Sequence, residues 1–179
     1  IADGVYTMSL YAKDKAGLEG NAKVKLVVDN TLPEVAITLP IDGSYVTRAT
    51  DIKGTLSDTN PDKGLLELAE GGCATATKWA LFKTITTSVR DGILDSWKLL
   101  PADGEYCLRL SATDKSGNKS EAKVGFKIDT HPPTVPLLTG KTENKTSNSL
   151  SWTKSPEADV AGYNLYRDGL KLNSAMITD

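Results

Sequence analysis

The residues of this chain best suited to chemistry are the acidic and amide side chains of its turns. Asp58, Asn60 and Asp62 stand at alternate positions of one short segment. Their oxygens are the ligands that Ca²⁺ prefers, since it takes roughly six to eight oxygen ligands. The segment lacks the central glycine and the terminal glutamate of an EF-hand loop, and ordinary Asx turns account for the same residues. The pattern therefore leaves a calcium site and a purely structural turn as two open interpretations.

Four more aspartates recur at turns and at the ends of predicted strands, namely Asp14, Asp29, Asp114 and Asp129. A bound ion at such positions would stiffen the joints between domains. Calcium is the one ion that the sequence suggests, and it calls for no other cofactor.

The sequence gives little support for a group of residues that could form a catalytic site. The single histidine, His131, stands between Thr130 and Pro132, and no Gly-x-Ser-x-Gly motif is present to hold a serine nucleophile. Carboxylates occur in pairs, but a glycosidase needs two carboxyls that face each other across a sugar-sized cleft, and a small sandwich without long insertions offers none. Most of these carboxylates are turn formers or belong to solvated faces. These pairs are Asp58 with Asp62, Glu67 with Glu70, and Asp91 with Asp95. The sequence predicts a protein that is not an enzyme.

Charge and hydropathy exclude two further classes of function. Lys and Arg total 21 against 23 Asp and Glu, for a formal net charge of -2, so there is no basic stripe to neutralise phosphates and no nucleic-acid partner is predicted. The apolar runs are far shorter than the ~20 residues of a membrane-spanning helix. No membrane span is therefore predicted in this segment.

The chain repeats itself at a fixed spacing. The motif that begins Asp3-Gly4-Val5-Tyr6 returns 100 residues later as Asp103-Gly104-Glu105-Tyr106, and the two copies align without a gap through Pro33 and Pro133. Self-similarity at a fixed period indicates a tandem array, and this period is the size of one β-sandwich domain.

The pattern between these landmarks is that of short strands. Apolar and polar residues alternate with period two, and Gly, Asp, Asn and Pro separate the runs. Asp91-Gly92 predicts a two-residue hairpin turn. The predicted strands are 5–12, 22–28, 35–39, 45–47, 51–57, 64–69, 77–86, 93–99, 104–113, 120–129, 149–153, 160–167 and 170–172.

These elements predict an all-β protein of tandem antiparallel β-sandwiches. Residues 1–32 would be the last strands of a partial sandwich, residues 33–130 a complete one, and residues 131–179 the first part of a third. A hairpin alone is marginally stable, so the sequence favours a polypeptide that continues beyond both ends. The proline-containing segments at 29–33 and 129–133 predict short, semi-rigid joints.

The first two parts resemble bacterial immunoglobulin-like repeats. The resemblance rests on Asp-Gly-x-Tyr, Ala-x-Asp-Lys-x-Gly and Asp-x-x-x-Pro in both copies, together with residues 54–58 and 94–97. It implies that Tyr6 and Tyr106 form tyrosine corners, in which a buried ring bonds upstream backbone through its hydroxyl. It also implies that Trp97 lies in a core.

The last part resembles the opening half of a fibronectin type III domain. Leu150-Ser151-Trp152 matches its second strand, and the segment 162–169, Gly-Tyr-Asn-Leu-Tyr-Arg-Asp-Gly, matches its third. The resemblance implies a core position for Trp152. Trp79 alternates with Leu81, which predicts that its ring faces a core too.

Cys73 and Cys107 both fall in the central sandwich. If Tyr106 faces inward, Cys107 points outward, and Cys73 follows the strand that such a fold places beside that of Cys107. A surface disulfide is therefore predicted, provided that the Cα atoms approach within about 7 Å; two free thiols are the alternative.

The sequence favours a structural stalk or spacer segment of a bacterial secreted or cell-surface multidomain protein. Neighbouring domains of the same chain would be its main partners. The alternative is an adhesin or carbohydrate-binding accessory module, whose partner would be a surface protein or a glycan. Both interpretations predict an extracellular or cell-surface location. The fold alone does not distinguish between them, because domains of this fold have many different functions.

Overall fold

The computed structural model describes residues 1–178, which form strands joined by turns. Each long strand follows a run in which apolar and polar residues alternate, because a strand places successive side chains on opposite faces of its sheet. The strands of the described residues are Gly4–Lys13 (β1), Glu19–Val28 (β2), Glu34–Leu39 (β3), Tyr45–Val46 (β4), Asp51–Ser57 (β5), Pro61–Glu70 (β6), Ala80–Ile85 (β7), Val89–Ser96 (β8), Gly104–Asp114 (β9), Lys119–Ile128 (β10), Leu138–Asn144 (β11), Ser147–Trp152 (β12), Tyr166–Arg167 (β13) and Leu170–Lys171 (β14).

Two sheets built from residues 34–128 enclose the main core. One has five strands in the order β4-β10-β9-β6-β7, and the other has three in the order β3-β5-β8. The pairings are antiparallel except that of β4 with β10, which is parallel. The protein is therefore all-β, and this region has the layered arrangement expected of a β-sandwich.

Alternation along β9 and β10 supplies much of the core between the two sheets. Leu108 and Leu110 on β9 are fully buried, as is Phe126 on β10. From the three-stranded sheet, β5 and β8 contribute further apolar side chains to the same cluster. The buried members of the cluster are Val46, Ile52, Leu56, Leu66, Ile85, Leu94, Trp97, Tyr106, Leu108, Leu110, Ala112, Val124, Phe126 and Ile128.

The chain divides into two compact units. The first spans Ile1–Thr130, so it contains both the β1–β2 hairpin and the two packed sheets, and the second begins at His131. In the second unit β11 pairs with β12, β13 pairs with β14, and Tyr163 forms an isolated bridge with Ile177. The ring centroids of Trp152 and Tyr163 lie 5.7 Å apart in this unit.

The hairpin predicted at Asp91-Gly92 is wrong. These residues lie inside β8, which runs from Val89 to Ser96 with shifts in its register against β5. Asp91 has φ = 45°, and its N–H donates to the Oγ1 of Thr55 at 3.1 Å. Asp-Gly therefore forms a bulge here instead of a chain reversal, because the left-handed residue is absorbed within a paired strand.

Two predicted strands are shorter than their sequence patterns suggest. The strand predicted at 77–86 begins only at Ala80, since the residues before it belong to a loop. The strand predicted at 160–167 is reduced to Tyr166–Arg167, and Gly162, with φ = 141°, lies in the irregular part. Alternation alone therefore overestimates strand length where the chain also has to turn.

None of residues 1–178 forms a helix that is long and apolar enough to cross a membrane.

Candidate functional site

The candidate site is assembled around the turn that joins β9 to β10. The Oδ1 of Asp114 accepts hydrogen bonds from the backbone N–H groups of Ser116 and Asn118, each at 2.8 Å. Gly117, with φ = 91°, closes the turn. An aspartate that accepts backbone hydrogen bonds from its own turn is a common means of fixing such a loop.

The same turn fastens the segment that leads from β2 to β3. The side-chain amide of Asn118 donates to the backbone carbonyls of Asp29 and Thr31 at 2.9 and 3.2 Å, and to the Oδ2 of Asp114 at 2.7 Å. Asn60 donates from its Nδ2 to the Oδ2 of Asp29 at 2.7 Å. Two amide side chains from different loops thus hold the linker against the end of the packed sheets.

Three carboxylates converge at this joint. One ligand oxygen from each of Asp29, Asp58 and Asp114 lies within 4.8 Å of the other two. Ca²⁺–oxygen distances are about 2.3–2.6 Å, so two ligands of one ion lie at most about 5 Å apart. The spacing of the three carboxylates is compatible with one shared calcium ion, whose remaining ligands would be water.

The structure redistributes the residues suggested by the sequence. Asp58 belongs to the acidic cluster, whereas Asn60 contributes a hydrogen bond to Asp29. Asp62 is exposed and stands outside the cluster, because β6 has already begun at Pro61 and the register shifts there. Asp29 and Asp114, which the sequence suggested only as joint residues, supply the other two carboxylates. Their approach depends on tertiary contacts that no sequence spacing indicates.

Hydrogen bonding keeps the Asp114 carboxyl charged. Burial raises the pKa of this carboxyl, but the hydrogen bonds from Asn118 and Ser116 outweigh burial and hold the pKa below its ordinary value. The Asp114 carboxyl is therefore held in its anionic form, and N–H donors already engage both of its oxygens.

A disulfide joins Cys73, in the loop after β6, to Cys107 on β9, with Cα atoms 4.9 Å apart. Tyr106 and Leu108 face the core, so Cys107 lies on the opposite face of the sheet. The prediction of a surface bridge needs one correction, because Cys107 is fully buried. The Cys73 Sγ also lies 3.7 Å from the place that a Cβ on Gly125 would take, so the bridge lies beside β10, and Cys73 itself is half-buried.

Trp79 lies outside the core, so the prediction that its ring faces inward is wrong. The Cζ of Arg109 is 4.0 Å from the centroid of the Trp79 ring. Arg109 is on the outer face of the five-stranded sheet, where its Nη2 also lies 2.8 Å from the Oε2 of Glu67. The loop that carries Cys73 brings the ring over this face, where it packs against a cation instead of apolar side chains.

The two tyrosines occupy equivalent hydrogen-bonded positions. The Tyr106 hydroxyl donates to the Ala102 carbonyl at 2.9 Å, and the Tyr6 hydroxyl donates to the Ala2 carbonyl at 2.8 Å. Tyr106 is buried, and burial raises the pKa of its hydroxyl. Tyr6 is only half-buried. These bonds tie the start of β1 and β9 to the residues just before each strand.

Trp97 and Trp152 belong to different units. Trp97 is buried between the two sheets, with its ring centroid 5.5 Å from that of Phe126. Trp152 is half-buried beside Tyr163.

The candidate catalytic residues are dispersed. His131 lies at the start of the second unit. Among the paired carboxylates, Glu67 binds Arg109, and the Oδ2 of Asp95 lies 4.0 Å from the Nζ of Lys83. These carboxylates lie on the outside of the sheets, each beside a basic side chain.

Comparison with known proteins gives no family. No family model matches the chain, and no curated protein matches it at a significant score. Among solved structures, the crystal structure of an engineered protein from a structural genomics consortium matches with 19% identity and a TM-score of 0.38. The match covers 54% of this chain and 20% of that one. A likeness this low carries no argument about function.

Proposed function

We propose that this chain is a non-catalytic spacer segment of a bacterial secreted or cell-surface multidomain protein, built from tandem immunoglobulin-like sandwiches and the start of a fibronectin type III-like domain. The observation that carries the proposal is the fastened linker, in which Asn118 and Asn60 bind the backbone and side chain of Asp29. Such bonds restrict the rotation of one domain against the next. Their effect is to set the spacing and direction of the array.

The chemistry of the joint supports a mechanical role. Pro33 is buried at the start of the packed sheets, where its ring fixes φ and removes an N–H donor. The linker carbonyls of Asp29 and Thr31 are both satisfied by one side chain, Asn118. A joint whose polar groups are paired in one arrangement resists bending, because bending would leave those groups without partners.

The disulfide supports an extracellular location. Such bridges form and persist in oxidising compartments and are rare in the cytosol. The bond between Cys73 and Cys107 links a loop to the central strand of the larger sheet, which suits a domain that must stay folded outside the cell.

The alternative is an adhesin or carbohydrate-binding module. Such modules need exposed aromatic faces on which a ligand can stack. The three tryptophans of the chain instead contact protein groups, Trp79 with Arg109, Trp97 with Phe126, and Trp152 with Tyr163. The contacts of the tryptophans favour the spacer, and the exposed aromatic rings among residues 1–178 are those of the tyrosines Tyr11, Tyr45 and Tyr166.

The choice between spacer and binder can be tested by tryptophan fluorescence with a panel of neutral and acidic oligosaccharides. The spacer proposal predicts unchanged emission at millimolar saccharide, because the rings are engaged by protein side chains. A saccharide-dependent change that disappears in Trp79→Phe would instead establish the outer face of the five-stranded sheet as a ligand site and overturn the spacer proposal.

We further propose that calcium stiffens this joint by binding Asp29, Asp58 and Asp114. Calcium in excess of chelator is expected to raise the melting temperature, because an ion that binds only the folded state at 100 times its Kd adds about 2.7 kcal/mol. Asp58→Asn is expected to abolish the shift, since it removes one of the three carboxylates. Differential scanning calorimetry with calcium and with EDTA measures both.

Asp62→Asn is the matched control, because Asp62 is a nearby carboxylate outside the cluster. It should retain the full calcium shift. An equal shift in Asp58→Asn and wild-type protein, or no shift in either, would remove calcium from the account of the joint and leave the hydrogen bonds of Asn60 and Asn118 to hold the linker.

A further inference from the structure

Two triplets in the sequence have the form Asn-x-Ser/Thr, in which the asparagine side chain can accept an N-linked sugar. They are Asn118-Lys119-Ser120 and Asn144-Lys145-Thr146. The central residue of each is lysine, so neither contains the proline that makes such a triplet unsuitable. The sequence alone gives the two asparagines equal standing. The structure distinguishes them by what binds each amide nitrogen.

The amide nitrogen of Asn118 is fully engaged. Its Nδ2 donates to the backbone carbonyls of Asp29 and Thr31 at 2.9 and 3.2 Å, and to the Oδ2 of Asp114 at 2.7 Å. The residue is also half-buried. N-glycosylation replaces one hydrogen of Nδ2 by a sugar carbon, so it would remove a donor to the linker and add a bulky group there. Asn118 can therefore react only after the turn and the linker have separated.

Asn144 lies in an open position at the tip of a hairpin. β11 ends at this residue and β12 begins at Ser147, and residues 141–150 are all exposed. In the part of the chain that the structure describes, the hydrogen bonds of the Asn144 side chain involve its Oδ1 and not its Nδ2. A transferase can therefore reach this nitrogen without breaking a strand pairing or a hydrogen bond of the side chain.

The turn holds the second triplet in a defined conformation. The Oδ1 of Asn144 accepts hydrogen bonds from the backbone N–H and from the hydroxyl of Thr146, each at 2.9 Å. The acceptor asparagine and the threonine that the motif requires are thus joined in one Asx turn. Both bonds bind the amide oxygen, which leaves the nitrogen as the accessible end of the side chain.

We propose that Asn144 is an acceptor of N-linked glycosylation and that Asn118 is not. The co-substrate is a sugar activated as a glycosyl diphosphate. The Nδ2 of Asn144 attacks the anomeric carbon, and the new N–C bond forms as the C–O bond to the diphosphate breaks. The diphosphate leaves with the electron pair, and the proton of Nδ2 passes to a base of the transferase. This inference does not depend on the spacer proposal.

Glycosylation of the folded full chain tests the inference. One reaction uses a soluble N-glycosyltransferase with a nucleotide-diphosphate hexose, and the other uses an oligosaccharyltransferase with a lipid-linked diphosphate sugar. Both enzymes accept Asn-x-Ser/Thr, and mass spectrometry of the peptides locates the sugar. Occupancy is expected to be at least about 10-fold higher at Asn144 than at Asn118, because Asn118 must first lose its hydrogen bonds. The donor that reacts identifies the source of the sugar.

Variants of the second triplet separate the motif from general exposure. Asn144→Gln and Thr146→Ala should lose the sugar, whereas Thr146→Ser should retain it, because serine supplies the same hydroxyl. Asn148→Gln is the matched control, since Asn148 is an exposed asparagine of β12 outside either triplet. It should be glycosylated as the wild-type chain is.

Synthetic peptides of residues 112–124 and 138–150 serve as the unfolded reference. We expect both to accept sugar to a similar extent, because neither keeps the contacts of the folded chain. Absence of sugar at Asn144 of the folded chain with both donors would overturn the inference, and so would equal occupancy of Asn118 and Asn144. Failure at Asn144 alone leaves the spacer proposal standing, since the linker is held by Asn60 and Asn118.

Discussion

Leu110→Ala is expected to destabilise the packed sheets by about 3 kcal/mol, whereas Leu10→Ala should change the free energy of unfolding by less than about 0.5 kcal/mol. The two residues occupy the same place in the two hairpins and undergo the same substitution. Leu110 is 0% exposed and Leu10 is 72% exposed. Only Leu110 therefore leaves a cavity when it is shortened.

Urea unfolding followed by the fluorescence of the buried Trp97 measures both effects. The slope of the free energy against urea should be the same for both variants and wild type, because the surface exposed on unfolding scarcely changes. Equal losses of stability in the two variants would mean that the first hairpin is already covered in solution.

Removal of the disulfide through Cys73→Ala with Cys107→Ala is expected to lower the free energy of unfolding by about 4 kcal/mol. The bridge closes a loop of sequence separation 34, and opening that loop restores conformational entropy to the unfolded chain. The loss should appear mainly as a lower urea midpoint. The buried position of Cys107 adds the loss of packed sulfur to this effect.

Reduction of the wild-type protein provides the matching control. Dithiothreitol should lower the wild-type midpoint to near that of the double variant and leave the variant unchanged. A double variant as stable as oxidised wild type would show that the bridge contributes nothing to the fold, and would remove the disulfide as support for an extracellular protein.

The β-strands were predictable where apolar and polar residues alternate in the sequence, whether or not one face is buried in the structure. Alternation predicts the β1–β2 and β9–β10 hairpins, and the repeat predicts that they are alike. The hairpin predicted at Asp91-Gly92 fails because this dipeptide can also form a bulge within a strand. The neighbouring strand supplies Thr55 as the hydrogen-bond partner of the bulge. The prediction for Trp79 fails because the residue belongs to the loop between β6 and β7, which places its ring on the outer face beside Arg109.

The candidate site was predictable only in part. Asp58 and Asn60 could be singled out because alternate oxygen ligands are visible in one short segment. The approach of Asp29 and Asp114 depends on packing the β9–β10 turn against the linker, which joins residues 85 positions apart in sequence. Asn118 gave no signal at all, since its repeat counterpart is Leu18 and a single asparagine in a turn is commonplace.

The hydrogen bonds of the joint are expected to hold the first hairpin and the packed sheets in one arrangement. Pulsed electron paramagnetic resonance can measure the distance between spin labels at Ser9→Cys and Thr86→Cys, and this distance tests the arrangement directly. Both sites are exposed, and the native cysteines remain paired, so that only the new cysteines are labelled. We expect one narrow distance distribution in the wild-type protein and a broader one in Asn118→Ala. A broad wild-type distribution that Asn118→Ala leaves unchanged would contradict this expectation. It would mean that the linker bends whether or not the hydrogen bonds of Asn118 are present.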